Sequence, residues 1–395
     1  MKSIINVERK RILNLKTFII FVMIIILYSA SDTYYTVKNY DIRDKSGVVV
    51  HWNENLNYAK ATTRGKDLNE DYFVSMIDMK RPYIYIDEMN LNDLVEMNYG
   101  MKEIKDLTKE EIIDFYSIRL SRIKEMLDES SKIQYTEDEK AQFMKKANEL
   151  TLPLSMDYSE GWKNLNQGME KFVHILLIVI SLIILPIFGS EPKTKMKELY
   201  RSTKYGKKKL DRAKIIVAYL IGIILYFAGI MIHFIIKMFP FGFGGGNQPI
   251  QSHAITFFSL YNITNFQQFL INVGIGLMAV LFMISFVLLI TILTEGIMTG
   301  AVVVIFFWIL LLSFDQVRLY QIDHFFANFM PLRMTKFSHY YIGNEIYRIA
   351  GNSIDSMSWV VIISGILSMI TVVLSVLFSD LKRNKNLKML PLKKN

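Results

Sequence analysis

Residues 190–214 read SEPKTKMKELYRSTKYGKKKLDRAK, ten lysines and arginines against three acids, set between the apolar runs 172–188 and 215–236. Moving each cation through a bilayer core costs roughly 2.5–3.5 kcal/mol on insertion scales, so a block of this density beside a membrane span stays cytoplasmic. Its position fixes the orientation of every other segment. It also leaves a charged, helix-length connector facing the cytoplasm, where a soluble partner can push on the membrane part.

The rest of the composition agrees with a membrane protein. The 395 residues are 51% hydrophobic and 13% aromatic, and the apolar residues are gathered into span-length runs. The formal charge of +9 would suggest a nucleic-acid footprint if it formed one patch. Instead 21 of the 46 basic residues lie in three pieces: 1–16, 190–214 and the tail after Asp380 with Lys382, Arg383, Lys385, Lys388, Lys393 and Lys394. That is a topology signal. With no cysteine, the chain has no disulfide, thiol nucleophile or thiolate metal site.

Working outward gives six transmembrane helices with both termini inside. Residues 1–16 carry Lys2, Arg9, Lys10, Arg11 and Lys16 beside Ile4, Ile5, Ile12 and Leu15, a cytoplasmic interfacial segment or simply a positive flank. The first span is 17–35; a cleaved signal peptide ending near Ser29-Ala30-Ser31 is the rival reading. The second runs inward over 172–188 with Trp162 as its outer aromatic anchor, and the third outward over 215–236 with Lys237 placed to snorkel. The remaining three are 269–293, 297–314 and 359–378, joined by an uncharged outside loop at 238–268, a tight turn at Glu295 and an aromatic-rich outer segment at 315–358. Residues 172–395 thus form a five-helix remainder of the transmembrane domain.

Between the first two spans, 36–171 has a soluble texture, with 20 basic and 26 acidic residues. Segments 48–52, 72–77 and 83–86 are short and β-branched or aromatic, which predicts strands. Thr108 with Glu111, and Thr136 with Glu139, are capping-box pairs that predict two helices. The expectation is a small α+β extracellular domain.

Candidate chemistry is sparse. No Gly-x-x-x-x-Gly-Lys-Ser/Thr string is present, and the glycine run at 242–246 lacks the lysine and lies outside, so it reads as a flexible loop. The six histidines never form His-Glu-x-x-His. His174 and His233 both fall near the outer leaflet; a shared site is conceivable, but a histidine there can also simply reach water. Glu295 suits the positive end of a helix dipole. Asp323, His324 and His339 can be drawn as an acid–base set, but an interfacial or re-entrant outer helix is the preferred reading. The third to sixth spans hold no charged residue in their cores, which disfavours an ion relay and leaves energy to a partner.

Glu191, Leu199, Ser202, Tyr205-Gly206-Lys207, Leu210 and Ala213-Lys214 resemble the cytoplasmic loop of type-two ABC exporter permeases: an acid, a Gly-Lys turn, and an Ala-Lys entering the next span. Residues 158–162, Tyr-Ser-Glu-Gly-Trp, are similar to the approach to the second span in the subgroup with a large extracellular domain. Many members have a glycine a few residues after the acid, where this chain has Thr194 or Lys195. The resemblance implies a non-enzymatic permease subunit in the cell membrane that pairs with a second permease subunit and couples to an ABC ATP-binding subunit. Glu191, Tyr205, Gly206, Lys207, Lys208 and Lys214 would make that contact, ATP and Mg would be bound by the partner, and the exported cargo would be an amphipathic peptide or similar compound. The competing class is a membrane-anchored sensor or assembly scaffold whose extracellular domain binds a ligand or partner.

Overall fold

The computed structural model describes residues 2–130, 133–189, 206–294, 296–316, 324, 327–349 and 351–388; side chains are further undescribed at 189, 206–208, 314–316, 327, 379–380 and 382–388. In chain order the elements are α1 (Lys2–Ile12), α2 (Leu15–Lys38), β1 (Ile42–Asp44), β2 (Gly47–Val50), α3 (Trp52–Thr63), α4 (Glu70–Asp78), α5 (Ile86–Tyr99), α6 (Lys109–Ile113), α7 (Phe115–Asp128) and α8 (Glu137–Asn148). They continue with α9 (Glu160–Ile184), α10 (Pro186–Gly189), α11 (Gly206–Phe241), α12 (Asn265–Thr294), α13 (Ile297–Gln316), α14 (Pro331–Met334), α15 (Phe337–Ile342), β3 (Ile346–Ile349), β4 (Asn352–Asp355) and α16 (Ser356–Lys388). The only sheets among the described residues are two antiparallel hairpins, β1–β2 and β3–β4.

The chain is a helical polytopic membrane protein. Leu15–Lys38, Glu160–Phe188, Lys209–Phe241, Asn265–Thr294 and Ser356–Phe378 are long and apolar enough to cross a bilayer, and Ile297–Ser313 is a shorter apolar helix. The six apolar runs of the sequence are all helical, but the helices overrun them. α9 starts twelve residues before 172 because Glu160–Lys171 keeps a helical stripe of Trp162, Leu165 and Met169, all buried. Trp162 is therefore no interfacial anchor: it packs among Phe234, Phe266 and Phe269, and its indole N–H donates to the Phe243 carbonyl at 3.1 Å.

α9 and α12 are central, each with 61% of its apolar window buried, whereas α2 and α16 bury 17% and 22% and present rows such as Ile20, Ile24 and Leu27 outward. Without a hydrophobic drive between helices in lipid, close packing has to hold them together. Gly229 of α11 supplies such a contact, since a Cβ there would sit 2.5 Å from Leu176 of α9.

Residues 42–156 fold into a cap on one end of the bundle, called here the domain end; the other is the basic end. Its core joins Leu68, Phe73, Leu91, Leu94 and Phe115 with Phe257, which comes from the loop between α11 and α12. Among the described residues of the cap the regular structure is helical apart from the β1–β2 hairpin and an isolated bridge between Asp67 and Ser155, which corrects the α+β expectation. Residues 72–77 form α4, because Asn69 accepts from the Tyr72 N–H and the buried Tyr72, Phe73 and Met76 follow helical spacing. Residues 83–85 are irregular chain leading into α5, which starts at Ile86, and of 48–52 only 48–50 are strand. Both capping boxes are present: Thr108 and Thr136 each accept from the N–H of Glu111 and Glu139 at 3.3 Å, and each glutamate accepts in return.

Candidate functional site

At the basic end, three helix ends converge. α1 lies against α11, with Ile12 in the span core. Arg11 donates to the Ile187 carbonyl at 2.9 Å and pairs with Glu8 at 2.7 Å, pinning α1 to α10 where Pro186 interrupts the second apolar helix. α11 begins at Gly206 and buries Leu210, Ala213 and Lys214. Lys214 is 1% exposed, with its ammonium 5.1 Å from the centroid of Phe188. Of the residues the sequence singles out for coupling, Lys214 is therefore a packed, interior group. Gly206, Lys207 and Lys208 are helical in backbone with side chains undescribed, and Glu191 and Tyr205 lie outside the described residues, as do Glu295 and Asp323.

A second polar constellation lies within the bundle. Lys237 does not snorkel: it is 2% exposed and donates to Asp32 of α2 at 2.5 Å and to Thr36 at 2.7 Å. One turn away, His233 has Nδ1 3.0 Å from the Ser29 hydroxyl and stacks on Phe172 with ring centroids 3.9 Å apart. His174 instead donates from Nε2 to the Leu332 carbonyl at 3.1 Å. The two histidines thus serve different neighbours, α2 and α14, and form no shared site. His233, 1% exposed, does not reach water either.

No known protein family, characterised protein or solved structure matches this chain.

The cap is fastened to the bundle by charged groups. Arg119 of α7, 2% exposed, donates to the carbonyls of Phe257 at 2.9 Å and Ser259 at 3.3 Å. Glu139 of α8 accepts from Arg348 of β3 at 2.9 and 2.7 Å and from Ser353 of β4 at 2.5 Å. Arg348, then Ser353 and the Thr136 N–H, push the Glu139 carboxyl down to about 2. His324 and His339 converge on Glu345, with nitrogens 3.9 and 3.3 Å from its oxygens. Burial works to raise that carboxyl, but the two histidines outweigh it and hold it far below the usual range. The 242–246 glycines form a turn against Ser159 and Trp162 instead of a free loop.

Sequence reading missed Asp32, Glu8, Glu345 and Arg348. Asp32, Glu345 and Arg348 gain their roles from partners distant in sequence or on a neighbouring element, whereas Glu8 pairs with Arg11 one turn along α1; only the acid Asp32 at the end of an apolar run carried a signal of its own.

Proposed function

We propose that the chain is the permease subunit of an ATP-driven exporter, with six spans, the basic end in the cytoplasm and the cap outside. Its partners are a separate ATP-binding subunit, which holds ATP and Mg, and a second permease subunit. Its cargo is an amphipathic peptide or similar compound. The observation that carries this reading is α11, one unbroken helix from Gly206 to Phe241. It starts in the lysine-rich segment, takes Lys214 into the bundle, and ends against the turn that touches Trp162. Packed helices move as rigid units, so force applied at the segment 190–214 is delivered to the far end of the bundle.

The charge asymmetry of the loops supports the orientation, and the resemblance at 191–214 supports the nature of the partner. Charge reversal at Lys207, Lys208 and Lys209 is expected to abolish stimulation of the partner's ATPase while the subunit still inserts. Unchanged stimulation, or failure to co-purify with an ATP-binding cassette protein, sinks the proposal in favour of an anchored sensor or scaffold.

A further inference from the structure

A hollow of about 480 Å³ lies where the cap, the β3–β4 hairpin and the start of α16 meet. Sites that take a small molecule or one arm of a larger one span roughly 300–1,000 Å³. Among the described residues its wall is mostly apolar: Ile133 of the cap, Phe329, Ile346 and Ile349 of β3, and Trp359 and Ile363 of α16. Two exposed polar residues, Gln134 and Arg348, also line it. Arg348 Nη2 donates to the Gln134 carbonyl at 2.6 Å and to Glu139 at 2.7 Å, so this polar edge is held between cap and hairpin.

The local sequence sets the hollow's level against a bilayer. Asp355 accepts from the Ser358 N–H at 3.0 Å, capping α16, and the apolar span begins at Ser356. Trp359 follows in the first turn, where aromatic belts form, and Ile363 lies about 6 Å deeper at 1.5 Å per residue. Positions 359, 363, 366 and 370 are spaced four, three and four apart, so they share one face of the helix. On that face Trp359 and Ile363 line the hollow and are half-buried, whereas Ile366 and Ile370 are 48% and 49% exposed. The wall of the hollow therefore continues into the open apolar surface of a span.

That continuity, with the chemistry of the wall, selects the occupant. Water finds few partners on six apolar side chains, and an extended peptide would bring backbone N–H and C=O groups that such a wall leaves unmet. A hydrocarbon chain brings none. Arriving from an apolar phase it gains no hydrophobic energy, so what favours entry is contact with a concave, packed surface. A polar end stays outside, where the Arg348 guanidinium, 48% exposed, suits a phosphate.

We propose that the hollow holds one acyl chain of a membrane phospholipid from the leaflet at the domain end, with the headgroup beside Gln134 and Arg348. The chain touches both the cap, at Ile133, and the span, at Ile363, so a lipid becomes part of the seam between them. The site requires a bilayer but no ATP-binding partner.

The test places the full-length protein in nanodiscs of a phosphatidylcholine that carries a diazirine near the end of one chain, and reads the labelled residues by mass spectrometry. Label is expected at the buried Phe329 and Ile346, as well as at Ile366 and Met369 on the open surface. Ile363→Trp and, independently from the cap side, Ile133→Trp fill the space. Each should abolish label at Phe329 and Ile346 while leaving it at Ile366 and Met369, which shows α16 still in place. Label confined to the open surface of the unaltered protein, or label at Phe329 and Ile346 that survives both fillers, overturns the site. The chain has no cysteine of its own, so Ile349→Cys supplies a single thiol. A disulfide-linked dimer through it that blocks the label would give the hollow to a second copy, and displacement of the label there by an amphipathic peptide, with Ile366 still labelled, would give it to a peptide. Either result excludes the lipid.

Discussion

Two ion pairs, Asp32 with Lys237 and Glu139 with Arg348, join elements more than 200 positions apart, yet they are built for different duties. In the first, set among apolar helices, the cation is the buried member, Lys237 at 2% against Asp32 at 25%; in the second, which clamps the cap to the β3–β4 hairpin, the cation is the exposed one, Arg348 at 48% against Glu139 at 8%. A buried pair gains little over an apolar substitute, but losing one partner strands the other charge away from water. Where the cation is half exposed the pair can open and close: water takes over Arg348 as it leaves, and the buried Glu139 keeps the Ser353 hydroxyl and the Thr136 N–H. The lesson is that α2, poorly buried by its own apolar side chains, is held by a bond that tolerates no partial breakage, whereas the cap is held by one that does.

Asp32→Asn should break this contrast most severely, because it strands the 2% exposed Lys237, destabilising the protein by about 3–5 kcal/mol, with Lys237→Met added on top restoring most of the loss. Thermal unfolding in detergent checks it, and a single-variant cost under about 1 kcal/mol would mean the pair is no clamp. Next comes Arg119→Met, which leaves the carbonyls of Phe257 and Ser259 without their charged donor for about 2–3 kcal/mol. Faster hydrogen exchange around 254–260 is the signature to seek. Glu139→Gln should cost about 1 kcal/mol after solvent screening of Arg348. Its pH dependence has a defined sign: a depressed carboxyl stabilises fully above its unfolded value near 4.5, and the contribution fades as pH falls towards about 2. The variant should therefore flatten the stability profile in that window, and an unchanged profile would contradict the pairing. The smallest effect belongs to Glu125→Gln, whose exposed pair with Arg122 at 3.0 Å should change stability by under about 0.5 kcal/mol.

Much of the helical framework was legible, because runs such as 269–293 and 359–378 can satisfy their backbone in lipid only as helices. The boxes at Thr108 and Thr136 were legible for the same local reason: donor and acceptor lie three residues apart. Segment 72–77 misled because Tyr, Phe, Val and Ile favour strands, while the cap at Asn69 and the burial of Tyr72, Phe73 and Met76 decided for helix. Long-range chemistry stayed hidden. Lys237 reads as a snorkelling cation until Asp32 is placed beside it.

At about 1.5 Å per residue, the 36 residues of α11 make a rod about 54 Å long, so pivoting it by roughly 5° at one tip sweeps the other by about 5 Å. The rod stops at Gly242, whose φ of +90° turns the chain sharply, and the next carbonyl along, Phe243, holds the Trp162 indole. A stroke that displaces this turn pulls on the hydrogen bond to that ring, which makes Trp162, one of four tryptophans, a native fluorescent gauge of the motion.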